Sequence, residues 1–599
     1  MSSNNETNSI EVANSLVGQW NETYRWIPIA GAVAAIAMAF SAGANNLAAP
    51  FSTLVGSGIL TLLRASVIAC AIYVPGAAFA SKSSVHVLFS DFIEENQPSE
   101  GFLMWSLVVV LITATIWLAI ATHMELPVSS QQSIQGALLG TILVTEGFKQ
   151  IPLWNKNYNH NFNGGGLLWI FLEWTVAPLI ACMCAIFLFT VMKIFLLSHE
   201  NGEKRILIFL LIDYGISAGL LCLFVIYQVI PNETAVYGWF VVVAVVTAAL
   251  VGVLLSLVVV VPLAIKMFDK AKHKFRNQKN SPEHQSADLQ DQSYDTKADS
   301  DAEIEDPFND LMQTRILHTV YEEEDQSCAS PDKSQDIELK VSLSQSTIGQ
   351  STSTQFKQLL ESTPNRLIQT KNFQKIKNNP KTTQNAFNFI KKFIKSAIFP
   401  VIEYDKKTLI QHALAEKYDD MEDFFSFPQL LASCIFALIQ SATEVAAVVS
   451  PYGAILEVFS HRAKHSGNLD QNMESIDVTW WFRALGGFSA ALGFFLCGSR
   501  MTQCLGGKLT YISNSRGLAS QLSAVTAMLT VTRMNLPVSS VHVFVGSLVG
   551  VGIADNPQNV NWKLLLKFIC GWVLTIVFCS GIAYVIFSIS IHTPSYVVP

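Results

Sequence analysis

The sequence predicts an all-α, polytopic membrane protein with about twelve transmembrane helices in two inverted repeats. Three observations lead to this fold class. The 599 residues are 50% hydrophobic and only 14% charged, whereas soluble proteins carry roughly 25% charged residues. The apolar residues are grouped in long stretches, and a helix needs about 20 apolar residues to cross a bilayer. One segment of the first half also recurs in the second half.

Twelve apolar stretches are interpreted as spans, seven before a polar central segment and five after it. They lie near 26–45, 55–79, 102–122, 128–146, 167–197, 206–230, 235–267, 427–449, 478–500, 516–533, 538–554 and 563–591. The fourth, eighth, tenth and eleventh are short or rich in Ser, Gln, Thr and Gly. Because discontinuous helices are found in such weak spans, we expect broken or re-entrant helices near the midplane.

Composition divides the chain into four parts. A polar N-terminal segment (1–24) precedes the first membrane half (25–267), and a polar linker (268–425) precedes the second membrane half (426–599). No secretory signal peptide is visible, so the first apolar stretch is predicted to remain as a span. The linker has too few apolar residues to offset chain entropy, so we predict disorder. It is interpreted as a solvated tether, with regulation through its serines as the alternative.

Lysine and arginine residues predict the orientation of the chain. They are concentrated in the loop at 199–205 and at both ends of the linker. Both regions follow an odd number of spans and therefore lie on one side, which we expect to be cytoplasmic. Both termini then face the opposite side, as do three glycosylation sequons at Asn5, Asn21 and Asn232. The expected location is the plasma membrane, with the linker in the cytoplasm.

Two pairs of similar segments form the internal repeat. Thr122–Gly140 reads THMELPVSSQQSIQGALLG and Thr532–Gly550 reads TRMNLPVSSVHVFVGSLVG, with ten of nineteen positions identical. GANNLAAPFST at Gly43–Thr53 precedes the first copy, and SATEVAAVVSP at Ser441–Pro451 precedes the second. An odd number of spans separates the copies, so they are predicted to be inverted. Inverted repeats place a binding site near the midplane, where discontinuous helices meet.

The two Pro-Val-Ser-Ser segments predict an anion-binding site. Pro127 and Pro537 suit the first position of a helix, because proline loses no hydrogen bond there. The serines of the first turn are Ser129, Ser130, Ser539 and Ser540. Unpaired N–H groups and the dipole at a helix start favour an anion. The alternative is that each segment merely caps a membrane helix, and the pairing of two copies favours the binding site.

At these segments the chain resembles the inorganic phosphate transporter (PiT) family. The motif of that family reads roughly Gly-x-Asn-Asp-Val-Ala-Asn-Ala in each half, followed by Pro-Val-Ser-Thr-Thr-His. The resemblance extends to GSGILTL at 56–62, ALGGFSAALGFFLCGSRM at 484–501 and SNSRG at 513–517. It covers about 28–146 and 427–591. It implies a cation-coupled phosphate symporter that works by alternating access.

The resemblance also implies roles for particular residues. The expected phosphate-binding residues are Asn45, Asn46, Thr443, Ser129, Ser130, Ser539, Ser540 and His542. The expected cation-coupling residues are Glu444, Asn46, Gln521 and Thr53. We expect no catalytic residue, no cofactor and no metal site beyond that of a co-transported Na⁺, with H⁺ as the other coupling ion. The expected partners are inorganic phosphate and the lipid bilayer, without nucleic acid, and a homodimer is left open.

The chain departs from the family pattern mainly at acidic positions. Asn46 replaces an aspartate, and Tyr73 and Gln521 replace two further acids, so that Glu444 alone remains of four. The coupling ion or its stoichiometry is therefore expected to differ from the family norm. Because three acids are lost, an alternative function is a transport-impaired phosphate sensor or structural membrane subunit. Transport of another oxyanion is a further alternative. An enzyme is not expected, since the sequence has no nucleotide loop, metal-ligand spacing or nucleophile elbow.

Overall fold

The computed structural model describes the membrane part of the chain. The described residues are 22–79, 100–145, 147, 167–198, 202–226, 238–266, 422–464, 478–534 and 538–592, with Thr408, His412, Ala415 and Tyr418. This part is helical throughout and contains no strand, as the sequence predicts. The N-terminal segment 1–24 and the linker 268–425 lie almost wholly outside the described residues, as does Pro537.

Among the described residues, eight α-helices lie before the linker. They are α1 Trp26–Asn45, α2 Ala49–Gly56, α3 Leu62–Ala78, α4 Glu100–His123, α5 Ser130–Thr145, α6 Leu167–Met192, α7 Gly202–Phe224 and α8 Gly238–Leu255. Two of them continue into π-helical turns, α6 at Lys193–Leu197 and α8 at Ser256–Val260.

Seven α-helices lie after the linker in the part of the chain that the structure describes. They are α9 Ser426–Gln440, α10 Ala446–Lys464, α11 Trp480–Cys497, α12 Ser499–Gln503, α13 Asn514–Arg533, α14 Ser540–Asp555 and α15 Trp562–His592. Short 3₁₀ turns cover Asp423–Phe425 and Pro557–Asn559, and π-helical turns cover Ser441–Val445 and Cys504–Lys508. Helical residues thus occur within the predicted linker, at Thr408, His412 and Glu422–Phe425.

Eight helices of the described part are long and apolar enough to cross a membrane. They are Glu22–Gly56, Gly101–His123, Trp174–Leu197, Lys204–Phe224, Gly238–Lys266, Asp423–Ser460, Trp480–Cys497 and Trp562–His592. Four of the twelve predicted spans correspond instead to α3, α5, α13 and α14, which are shorter or more polar. Helices α3 and α14 are apolar but have fewer than 18 residues, and polar side chains on α5, α13 and α14 contribute to the buried groups described below.

The helical pattern of the chain is interrupted at three of the four repeat segments. After α1 the helical hydrogen-bond pattern is interrupted by a turn at 46–48, although Asn46 and Ala48 keep right-handed helical angles. Non-helical residues separate α4 from α5 and directly precede α14. Glu125, in the second of these breaks, has a φ of 57°. The second copy of the first motif differs, because α9 runs through the π-helical turn at Ser441–Val445 directly into α10. A π-helical turn accommodates one extra residue without ending the helix, and such turns are frequent at functional sites.

Equivalent glycines in the two Pro-Val-Ser-Ser copies let each copy pack closely on a long helix. A Cβ atom at Gly140 of α5 would lie 2.2 Å from the carbonyl oxygen of Ser580 in α15. A Cβ atom at Gly550 of α14 would lie 2.4 Å from the carbonyl oxygen of Cys182 in α6. Small residues at such contacts allow membrane helices to approach closely. The sequence repeat therefore corresponds to a repeated packing arrangement.

The two membrane halves interleave in space. Helix α11 packs on α1 and α3, α14 packs on α6, and α15 packs on α4 and α5. Buried side chains from both halves belong to one hydrophobic cluster, and the described residues form part of one compact unit. Because of this interleaving, polar residues far apart in sequence are brought together.

Candidate functional site

Glu444 lies at the centre of a buried polar cluster to which both halves contribute. Its side chain is in the π-helical turn, and the residue is only 1% exposed. Its Oε2 accepts hydrogen bonds from Nδ2 of Asn46, at 3.2 Å, and from the hydroxyl of Ser130. Its Oε1 accepts a hydrogen bond from the hydroxyl of Ser540, at 2.6 Å. Three donors from three different helical segments thus stabilise the carboxylate.

The two serines reach Glu444 because they begin helices. Ser130 is the first residue of α5, and Ser540 is the first residue of α14. A helix start carries a partial positive charge and unpaired N–H groups, which favour a nearby anion. In this structure the hydroxyl groups at both helix starts are directed at a carboxylate of the chain itself. The arrangement can therefore hold an anionic group with the help of both repeats.

Gln440 belongs to the cluster although the sequence analysis did not single it out. Its Nε2 donates to the backbone carbonyl of Asn46, at 3.0 Å, and to the hydroxyl of Ser540, at 2.9 Å. It precedes Glu444 by four residues, and residues at that spacing share one face of a helix. The signal that could have found it is a glutamine inside an apolar span, directly before the motif.

Several buried oxygen atoms around this cluster have no hydrogen-bond partner among the described residues. They are Oδ1 of Asn46, Oε1 of Gln440, Oε1 of Gln132 and Oγ of Ser539. Burying an acceptor without a partner costs roughly 1–3 kcal/mol, so most such atoms in native proteins are paired. Amide, hydroxyl and carboxylate oxygens are the ligands that hard cations take. Together with Glu444, these atoms provide the chemistry of a cation site.

Asn45 holds the backbone that precedes α5 and does not contact Glu444. Its Nδ2 donates to the carbonyl of Leu126, at 2.9 Å, and to the hydroxyl of Thr122, at 3.1 Å. Its Oδ1 accepts from the N–H of Val128, at 3.1 Å. All its polar atoms are used in fixing the first Pro-Val-Ser-Ser segment. The residue therefore positions Ser130, whereas the sequence predicted contact with phosphate.

Ser129, Ser539 and Thr443 are near the cluster in sequence but have different partners. The hydroxyl of Ser129 accepts from the N–H of Gln132, at 3.3 Å, and so caps α5. The hydroxyl of Ser539 makes no such bond. Thr443 is half-buried, and its hydroxyl donates back to the carbonyl of Ile439 in its own helix, at 3.0 Å. The structure does not bring Thr443 into the cluster.

His542 lies one turn into α14, against an aromatic ring. Its ring centroid is 4.1 Å from that of Trp572, and its Nδ1 is 3.5 Å from Nε2 of Gln132. Its Nε2 has no partner among the described residues, and the side chain is fully buried. Trp572 in turn donates to the carbonyl of Pro127, at 2.8 Å. His542 and Gln132 thus connect the two Pro-Val-Ser-Ser copies beside the Glu444 cluster.

Gln521 and Thr53 form a second buried pair. Nε2 of Gln521 donates to the hydroxyl of Thr53 and to the carbonyl of Pro50, both at 2.9 Å. Its Oε1 has no partner among the described residues. The pair joins α13 to the short helix α2, and its hydrogen bonds do not involve Glu444. It offers a second set of oxygen ligands. Helix α2, which carries Thr53, begins shortly after Asn46 of the Glu444 cluster.

Tyr73, at a position where the resemblance leads one to expect an acid, supports the break after α1. The side chain is fully buried, and its hydroxyl donates to the carbonyl of Leu47. Its ring packs edge-on against Phe51, with 5.9 Å between the ring centroids. The residue therefore fixes the backbone next to Asn46 and leaves no carboxylate there.

Comparisons with known proteins agree on one family. The model of the phosphate transporter family (PHO4) matches residues 42–583. The chain is 22% identical to the phosphate-repressible phosphate permease pho-4 of Neurospora crassa, over 94% of this chain and 97% of the permease. It is 23% identical to a sodium-dependent phosphate transporter of Plasmodium falciparum, over 96% and 98%, and 22% identical to sodium-dependent phosphate transporter 1 of Mus musculus, over 92% and 93%.

A solved structure has the same fold. The structure, described as the sodium-dependent phosphate transporter, aligns with a TM-score of 0.59 at 18% sequence identity. The alignment covers 95% of this chain and the whole of that chain. At this level of identity the likeness concerns the arrangement of the helices.

Proposed function

The chain belongs to the phosphate transporter family, and we propose that it is a sodium-coupled symporter of inorganic phosphate that works by alternating access. The observation that carries this proposal is the convergence of Asn46, Ser130 and Ser540 on the buried carboxylate of Glu444. A charged side chain at the centre of a transmembrane helix costs roughly 2.5–3.5 kcal/mol, so a buried carboxylate within a span typically has a function. Residues of both repeats share this one acid.

Sodium is the coupling ion that accounts for the unpaired oxygens. A proton on Glu444 would neutralise the carboxylate but would leave Oδ1 of Asn46 and Oε1 of Gln440 without a partner. A sodium ion takes several oxygen ligands and would use these atoms together with Glu444. The relatives from Plasmodium falciparum and Mus musculus are named as sodium-dependent transporters, which supports the same ion here.

The two serine hydroxyls provide a way to couple sodium binding to phosphate binding. A hydroxyl has one donor and two acceptor positions. Ser130 and Ser540 now donate to Glu444, so their hydrogen atoms are not available to a substrate anion. When sodium binds the carboxylate, the hydroxyl oxygens can turn to the ion and their hydrogens to phosphate. Phosphate would then bind well only after sodium.

Co-transport of cations also solves the energetic problem of moving phosphate. Near neutral pH phosphate carries one to two negative charges, and each charge costs about 2.3 kcal/mol per 100 mV against an inside-negative potential. Bound sodium offsets this cost and reduces the charge that crosses the membrane. Because Asn46 and Gln521 lack the charge that the family pattern leads one to expect, we propose that fewer cations accompany each phosphate here.

The arrangement of the chain in the membrane is part of the proposal. We propose that the two repeats are inverted within a twelve-span topology, in which rocking of the repeats exposes the Glu444 site to each side in turn. We propose that the linker lies in the cytoplasm, because the lysine-rich and arginine-rich loops are predicted to lie on one side. We further propose that the protein is located in the plasma membrane. Assembly into a homodimer remains a prediction.

Uptake of labelled phosphate by reconstituted vesicles tests this function. The purified full chain is incorporated into liposomes and given an inward sodium gradient, an inward proton gradient, or neither. We expect uptake with the sodium gradient alone. Uptake driven only by protons would contradict sodium coupling. Phosphate binding by calorimetry without uptake under any condition would instead support the transport-impaired sensor, and preference for sulfate or arsenate in competition would reassign the substrate.

A further inference from the structure

A buried acid in α7 is not part of the Glu444 cluster. Asp213 is only 1% exposed, and α7 contains one of the eight helical stretches able to cross the membrane. It lies midway between the helix ends at Gly202 and Phe224. At 1.5 Å per residue this is about 16 Å from each end, which corresponds to the middle of the bilayer core.

Neither carboxyl oxygen of Asp213 has a hydrogen-bond partner among the described residues. Ser217 follows one helical turn later, is fully buried, and its hydroxyl likewise has no partner within that part of the chain. Residues four apart lie on the same face of a helix. Two buried polar side chains without a described hydrogen-bond partner are therefore on the same face of α7.

The elements packed against α7 offer little opposing charge. They are α8, α9, α13 and the π-helical turns of α6 and α8. Their titratable or charged residues are Cys434, Lys193, Arg516 and Arg533. Arg516 is paired with Asp555, at 2.7 Å, and Lys193 donates to the backbone carbonyl of Asp555, at 3.3 Å. Arg533 is the exposed last residue of α13.

The chemistry of this pair favours a proton as the ligand. An ionised carboxylate in the middle of a bilayer is costly when no cation compensates it. A sodium ion takes several oxygen ligands, as hard cations do, whereas this face of α7 offers one carboxyl and one hydroxyl. We propose that Asp213, together with Ser217, is a proton-binding site that holds a proton in this conformation and is separate from Glu444.

A proton site in α7 would add pH dependence to transport. Helix α7 packs on α9 and α13, which contribute Gln440 and Gln521 to the two polar groups described above. A rearrangement that admits water or a cation to Asp213 would release the proton. This consequence for transport rests on the proposed function, whereas proton binding by Asp213 does not.

Infrared spectroscopy of the purified full chain tests for the proton. A protonated carboxyl group gives a C=O stretching band that a carboxylate lacks. We expect this band at neutral pH in the wild-type protein and its loss in D213N. The matched control is D423N, which removes an acid from an exposed position and should leave the band unchanged. E444Q distinguishes the contribution of Glu444, which is also buried.

The outcomes separate this proposal from the proposed function. A neutral-pH band that is identical in the wild type and D213N means that Asp213 is ionised, and the proton site is then rejected. Loss of the band in D213N supports the site even if reconstituted vesicles take up no phosphate. Where uptake is measurable, its pH dependence should flatten in D213N but persist in D423N. Equal pH profiles for the wild type and D213N would overturn a role for the site in transport.

Discussion

Ser130 and Ser540 donate hydrogen bonds to opposite oxygens of one carboxylate, Oε2 and Oε1 of Glu444. The two serines occupy the same position in the two Pro-Val-Ser-Ser copies, 410 residues apart in the sequence. The duplication of the chain is therefore expressed as a pair of equivalent contacts with a single acid. A change in one serine is expected to affect the group that the other one binds.

Replacing Glu444 with glutamine is expected to abolish sodium-dependent uptake. Glutamine keeps the size of the side chain but removes the charge that we propose binds the ion, and one of its terminal atoms becomes a donor facing a serine hydroxyl. Uptake is compared in vesicles with and without a sodium gradient. The matched control is Glu457→Gln on α10, a half-buried acid outside the cluster. If Glu444→Gln retains sodium-driven uptake, Glu444 is not the coupling carboxylate.

Single and double alanine substitutions at Ser130 and Ser540 should be non-additive. A hydrogen bond to a charged group contributes about 1.5–3 kcal/mol, which corresponds to roughly a tenfold to hundredfold change in an equilibrium constant. We expect each single variant to raise the KM for phosphate and the double variant to raise it by less than the product. Ser133→Ala is the control, since that hydroxyl donates back to the carbonyl of Ser129 and also contacts Cys579, away from Glu444. Simple additivity would argue against a shared carboxylate.

Changing Asn46 to aspartate should increase the dependence on sodium. The new carboxylate would lie beside Oε2 of Glu444, where the amide nitrogen now donates at 3.2 Å. Two adjacent carboxylates repel each other unless a cation or proton is bound between them. We expect a steeper sodium activation curve and weaker phosphate binding at low sodium. The control is Gln521→Glu, which also restores an acid but places it beside Thr53. If Gln521→Glu changes the sodium activation curve in the same way, proximity to Glu444 is unimportant.

Neutralising Asp555 should destabilise the protein far more than neutralising Glu125. The pair of Arg516 and Asp555, at 2.7 Å, is almost completely buried, whereas Lys508 and Glu125 are about a quarter exposed. Leaving one charge of a buried pair unmatched costs about 3–5 kcal/mol, and an exposed pair contributes about 0.2–1 kcal/mol. Thermal unfolding of Asp555→Asn and Glu125→Gln in detergent measures the difference. Equal melting temperatures would contradict a structural role for the buried pair.

The location of the cluster could largely be predicted from the sequence. Glu444, Asn46, Ser130 and Ser540 were selected from the repeat and the resemblance, and the structure brings these four side chains into contact. Short polar motifs repeated within apolar spans leave few positions where polar side chains can be satisfied. The requirement that buried polar groups be hydrogen-bonded therefore favours a common cluster, whatever its function.

The individual partners could not be predicted in the same way. Asn45 and Asn46 are adjacent, yet Asn45 fixes the loop before α5 and Asn46 contacts Glu444. Neighbouring residues at the end of a helix point in different directions, so their contacts depend on which elements pack there. Thr443 next to Glu444 is a similar case, because the π-helical turn leaves its hydroxyl bonded to its own helix.

The sequence by itself determined the membrane class, most helix positions and the family, because bilayer thickness and backbone hydrogen bonding restrict an apolar chain to long helices. The tertiary structure decided which helices interleave, that α9 continues into α10 without a break, and that Gln440 and Tyr73 support the region around Asn46. It also buried Asp213, in the middle of α7, without a hydrogen-bond partner among the described residues. Such contacts depend on helix packing between distant segments, and no local pattern in the sequence specifies them.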